Sequence, residues 1–99
     1  MSVNQSEYYV EFRKPYQFEQ ETYEGVDLAG IENLSAKDLI EADKQFTKNG
    51  NMAVMNEMTT GYCCIIASKA TGKPIEFFEN LSAADGLKVK NMVMGFLNA

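Results

Sequence analysis

Few side chains in this sequence could carry chemistry. Cys63 and Cys64 stand side by side, Asp38 and Glu41 lie three residues apart, Glu76 and Glu79 repeat that spacing, and Gly72-Lys73 superficially resembles the end of a phosphate loop. A cysteine becomes a nucleophile only as its thiolate, which needs a base or a positive field nearby. The chain has no histidine to act as that base, and neither thiol nor any serine sits in a nucleophile-elbow setting. On a helix two adjacent thiols point about 100° apart, so a bridge between them would break the helix. A reduced pair suits the cytosol, and both cysteines read as small buried hydrophobes. Without histidine or a third cysteine no zinc ligand set can be assembled. Carboxylates at helical spacing share acid and base work only where an apolar cleft raises one pKa; otherwise they form a solvated surface. Gly72-Lys73 lacks the upstream glycine of a phosphate loop, and Pro74 takes the place of the following Ser or Thr. The expectation is no catalytic residue, no cofactor and no metal, so that the chain is not an enzyme.

The elements that would position any site are clearer. At 99 residues with 45% hydrophobic and 23% charged residues, the chain suits one globular domain, residues 1–99, with a single modest core. From Tyr8 the pattern has period two: Tyr8, Val10, Phe12, Tyr16 and Phe18 alternate with polar residues, as in a half-buried antiparallel strand. Pro15 removes a ladder donor and marks an edge or a bulge. Glu19, Gln20 and Glu21 make the turn, and Thr22 to Leu28 return with Val26 and Leu28 inward. The hairpin spans about residues 8–28 and must lie on helices to be stable.

The helical part spans about residues 35–98. Ser35 reads as an N-cap with Asp38 as its reciprocal partner, and Leu39, Ile40 and Phe46 form a narrow apolar face. Asn80-Leu81-Ser82-Ala83-Ala84-Asp85 repeats the motif Asn33-Leu34-Ser35-Ala36-Lys37-Asp38 with one change, as two independent capping boxes would. Asn56 to Gly72 is read as the buried central helix: Met55, Met58, Tyr62, Ile65 and Ile66 fall on one stripe, Gly72 suits the left-handed C-cap, and Pro74 stops the helix. Pro74 then opens a short helical turn at its first position, anchored by Ile75, Phe77 and Phe78. The last helix starts at Ser82 and carries Val89, Met92, Val93, Phe96 and Leu97 at the cleanest amphipathic spacing in the chain. The expected class is α+β: an N-terminal antiparallel hairpin, then a small bundle of three main helices plus a short helical turn.

All of the net charge of −5 lies in the first 32 residues, where seven acids face Arg13 and Lys14; the rest of the chain balances. No basic stripe is present to follow a phosphate backbone, so nucleic acid and anionic membrane are not expected partners. No apolar run approaches the ~20 residues of a membrane span, and the N-terminus lacks a signal pattern, which leads to an expected cytoplasmic location. Six methionines are the compositional oddity. Most would fill gaps in the core, but Met-rich surface also holds partners that vary in shape.

Taken in order, Phe12-Arg13-Lys14-Pro15-Tyr16-Gln17-Phe18-Glu19, Tyr23 through Leu28, Leu34 through Ala42, Tyr62 through Pro74, Leu81-Ser82-Ala83-Ala84-Asp85 and Phe96-Leu97 give the chain a pattern that resembles the small tail assembly chaperones of long-tailed bacteriophages and prophages. The resemblance covers about residues 10–97 and lies in the order and spacing of these segments. Where that family carries a glycine in the hairpin turn, this chain has Glu19-Gln20-Glu21. The resemblance implies a non-enzymatic role in the host bacterial cytoplasm. Such proteins coat the tape measure protein, a long helical chain that aggregates unprotected, and help to recruit tail tube protein, and they are absent from the mature virion. A longer frameshifted form often accompanies the short one in that family. The implied partners are therefore the tape measure protein and the tail tube protein, with a homo-oligomer left open. Coating a helical client calls for an apolar groove beside the central and last helices, with Met55, Met58, Met92 and Met94 among its lining. The alternatives are a structural tail component of the completion or terminator kind, which would remain in the particle, and a small protein-binding adaptor unrelated to phage.

Overall fold

The computed structural model describes residues 7–48 and 59–98. They form β1 (Tyr9–Phe18), β2 (Glu21–Asp27), a 3-10 turn (Ala29–Asn33), α1 (Ala36–Lys48), α2 (Thr60–Thr71), α3 (Ile75–Glu79) and α4 (Ala83–Leu97). The architecture is α+β, a two-stranded antiparallel hairpin followed by helices.

The period-two pattern builds β1 as expected: Val10 and Phe12 are buried and Tyr16 and Phe18 half-buried, while Val26 and Leu28 supply the inward side of the returning chain. Phe18 pairs with Glu21, so Glu21 belongs to β2 and the turn shrinks to Glu19 and Gln20. These two take φ values of 49° and 70°, the left-handed pair that matches the twist of a two-residue hairpin. Ordinary residues there cost roughly 1–2 kcal/mol each. Gln20→Gly should therefore raise stability by about 0.5–1 kcal/mol net of glycine's own entropy, read as a higher thermal midpoint by circular dichroism.

Pro15 falls inside an irregularity of β1. Between the pairs Glu11↔Gly25 and Tyr16↔Tyr23, residues 12–15 oppose Glu24 alone. The extra length bends the strand, and α4 covers it: the Arg13 N–H donates to Asp85 Oδ1 at 3.0 Å and Lys88 Nζ donates to the Glu11 carbonyl at 2.9 Å. After β2 the turn Ala29–Asn33, which sequence periodicity does not announce, buries Ile31 completely.

The two Ser/Asp boxes part company. At α1 the box is reciprocal: the Asp38 N–H donates to Ser35 Oγ, and the Ser35 N–H donates to Asp38 Oδ2 at 2.8 Å. That N–H, with the Ser35 hydroxyl adding to it, holds the Asp38 carboxyl below its usual range. At α4 the Asp85 N–H donates to Ser82 Oγ, but the Asp85 carboxylate leaves the box for the Arg13 N–H and is itself buried. On α1 Ala42 and Phe46 are buried with Leu39 half-buried on the same side, and Ile40 is 53% exposed, because it stands about 100° round the helix from Leu39.

Helix α2 is the middle of the helical part and packs on the 3-10 turn, α1, α3 and α4. Every residue from Tyr62 to Ala67 is buried, as a helix enclosed on all sides requires. Its described start is Thr60, capped by Thr59 Oγ1 accepting from the Tyr62 N–H; Asn56, where the sequence began it, lies outside the described residues, as do Met55 and Met58. Gly72 ends it at φ 77° with its N–H on the Ser68 carbonyl. Pro74 is the N-cap of α3 rather than its first helical residue. Val89 and Val93 are the buried line of α4, with Met92, Phe96 and Leu97 half-buried. That helix is less cleanly two-faced than its spacing suggested, for it buries Asp85 and leaves Leu87 50% exposed.

Candidate partner-binding groove

Where α2 and α4 lie side by side, α3 and the chain leading into α4 close one end of a groove of about 570 Å³. Cys64 and Phe78, both buried, and Leu81, half-buried, are apolar groups lining it; Gly61 and Leu87 are among its walls. Two helical glycines, Gly61 and Gly86, border the groove. A methyl group on Gly86 would meet nothing within 4 Å, and one on Gly61 would meet only the Phe46 ring, at 3.3 Å. Leu87 stands half exposed beside this apolar lining, an arrangement that an incoming apolar side chain would complete.

The thiol in the groove is not activated. Burial, with the Glu79 charge adding to it, pushes the Cys64 thiol up to about 11, so the thiolate is scarce at neutral pH. Cys63 is fully buried. Native protein at pH 8 should accordingly take up iodoacetamide far more slowly than protein unfolded in guanidinium, where both thiols react; mass spectrometry of the alkylated chain reads the difference. Rapid labelling of Cys64 in the folded protein would contradict this account.

The other candidate groups are occupied or apart. Asp38 is held in its capping box, and Glu41 reaches Lys69 at 3.6 Å across an exposed surface. Glu76 and Glu79 are both exposed on α3, with Glu79 at the lip of the groove. Lys73 does not face an open loop: its Nζ lies 4.8 Å from the Tyr23 ring centroid and 5.3 Å from that of Phe77, a cation held over aromatic faces. Between the β1 irregularity and the start of α4 a second depression is lined by Arg13, Tyr16 and Asp85, but the Asp85 carboxylate is engaged by the Arg13 N–H. Among the described residues no buried side-chain polar atom lacks a partner, and no group of three or more His, Cys, Asp or Glu is placed to hold a metal ion. Nor is any described helix long and apolar enough to cross a membrane.

Of the methionines expected at a partner surface, Met92 and Met94 are half-buried on α4 and pack against the core. Met92 borders a different depression, beside Tyr9, Val10 and Lys88. Met55 and Met58 lie outside the described residues. The structure thus puts a groove beside the central and last helices, lined by Cys64, Phe78, Leu81 and Leu87, residues that sequence reasoning did not select. One signal for it was present: Leu87 is an apolar residue off the Val89–Val93 stripe of its helix. No protein-family model matches the chain, and neither a curated protein nor a solved structure matches it.

Proposed function

We propose that this chain is a phage tail assembly chaperone, binding and solubilising the tape measure protein and helping to recruit tail tube subunits during tail morphogenesis. It acts, on this reading, in the host cytoplasm, makes and breaks no covalent bond, and leaves before the virion is complete. The observation that carries the reading is the groove between α2 and α4, with Leu87 half exposed above Phe78 and Cys64. A shallow apolar groove accepts one face of an amphipathic helix, and a long helical client offers many such faces in succession. Each contact is small, so binding is repeated and weak, and assembling tube subunits can displace it. The order and spacing of the segments from Phe12 to Leu97, set out above, support the same reading.

Co-expression tests it. The tape measure chain from the same genome should be recovered soluble with the wild-type protein and insoluble with Leu87→Glu. That substitution is at an exposed position, so it should leave the circular dichroism spectrum unchanged. Met92→Gln and Met94→Gln, assayed beside it, measure whether the methionines of α4 add to the contact. A client that stays equally soluble with Leu87→Glu removes the groove from the reading. Detection of this chain by mass spectrometry in purified virions would replace the chaperone with a structural tail component.

A further inference from the structure

The two edges of the hairpin are treated differently. The edge of β1 is covered by α4, which supplies the Asp85 carboxylate to the Arg13 N–H and the Lys88 ammonium to the Glu11 carbonyl. β2 has no strand on its other side, and among the described residues its main chain makes no backbone hydrogen bond outside the hairpin. Thr22 faces Gln17 next to the Phe18–Glu21 pair that closes the two-residue turn. Alternation of hydrogen-bonded and non-hydrogen-bonded pairs therefore turns the Thr22 N–H and carbonyl away from β1.

The charges that β2 itself carries are of one sign, while the Lys73 ammonium lies over its Tyr23 ring, 4.8 Å from the centroid. Glu21, Glu24 and Asp27 on β2 are all exposed, as is Glu19 in the turn, and β2 holds no basic residue. Acids along an edge repel a second copy of the same edge, which blunts self-pairing. The same row favours a strand of opposite sign, because opposite charges facing each other across a ladder stabilise the pairing. We propose that the β2 edge is a docking site for an extended, basic segment of a partner protein, added to the hairpin as a third strand with Lys or Arg side chains over Glu24 and its neighbours. The main chain supplies the hydrogen bonds and the acids select the partner. This surface lies on the hairpin and does not depend on the groove between the helices.

The probe is a fluorescein-labelled synthetic peptide alternating Lys with Val and Thr, titrated against the full chain by anisotropy, with a matched peptide carrying Glu for Lys. The Lys peptide should bind, lose affinity as salt rises, and slow the hydrogen exchange of the Thr22 amide; the Glu peptide should not bind. Glu21→Lys with Glu24→Lys should weaken binding about tenfold. Thr22→Pro removes the outward donor and should abolish binding. The exchange of the Thr22 amide in the wild type stands as a separate reading should that variant unfold. Failure of the Lys peptide to bind overturns the proposal. So does binding that leaves the Thr22 amide unprotected, which would be charge attraction alone, and so does a wild-type dimer that Thr22→Pro dissociates, which would make a second copy the occupant.

Discussion

Phe77→Ala should lower the unfolding free energy by about 3–5 kcal/mol, at the upper end of what truncating a buried side chain costs. Phe77 is fully buried, and its ring centroid lies 5.1 Å from that of Tyr16, 5.2 Å from Phe18, 4.9 Å from Tyr23 and 5.0 Å from Phe78. Three of those rings belong to the hairpin, so the side chain fills the joint by which β1 and β2 sit on the helical part. A two-stranded hairpin has little stability of its own, and removing the ring takes away most of what it lies on. The cost also exceeds simple transfer of the lost area, since edge-to-face ring pairs contribute about 0.5–1.5 kcal/mol each beyond burial. The Tyr16 hydroxyl, which donates to the Phe77 carbonyl at 2.8 Å, stays with the backbone and cannot compensate for the cavity. Chemical denaturation measures the loss. Phe77→Leu, which keeps most of the volume, should lose distinctly less, and equal losses for the two would mean that ring geometry rather than filling holds the joint.

Local signals made much of this legible. The alternation from Tyr8 to Phe18 specifies a strand with one wet face, the Ser35/Asp38 box starts α1, Gly72 ends α2, and Ser82 starts α4; each of these depends on residues within a few positions of one another. What the sequence hid depends on distance or on absence. Asp85 looks like a second Asp38, and only its reach to Arg13, 72 residues away in the chain, shows that it holds an irregular strand rather than closing a box. Phe77 was visible as an anchor but not as the joint, because its partners come from two strands and from its own helix. The turn Ala29–Asn33 is too short to show a period, so no local pattern marks Ile31 as a core residue although it is fully buried. The groove is assembled from residues of α2, α3 and α4 and bordered by Gly61 and Gly86, and a glycine in a helical pattern reads first as a weak point.

Gly30 is required by packing and not by its own backbone conformation. It sits in the 3-10 turn after β2, and an added methyl would overlap the carbonyl oxygen of Ala70 on α2 and come within 3.2 Å of its carbonyl carbon. Its φ is not among the positive values, which occur at Glu19, Gln20 and Gly72, so alanine could adopt the local backbone; the obstacle is steric and lies across the interface. Both parties to the clash are main chain, and neither can swing aside as a side-chain tip would. The turn and α2 must separate, lifting Ile31 from its packing. Gly30→Ala should thus destabilise by about 1–3 kcal/mol, a fall of several degrees in thermal midpoint at roughly 4–8 °C per kcal/mol for a domain of this size. Gly95→Ala is the control: an added methyl there meets nothing within 4 Å, and the exchange in a helix should stabilise by about 0.5–1 kcal/mol. Opposite signs for two identical substitutions would locate the effect in the close approach of the turn to α2; stabilisation at both positions would mean that this approach is looser than the structure has it.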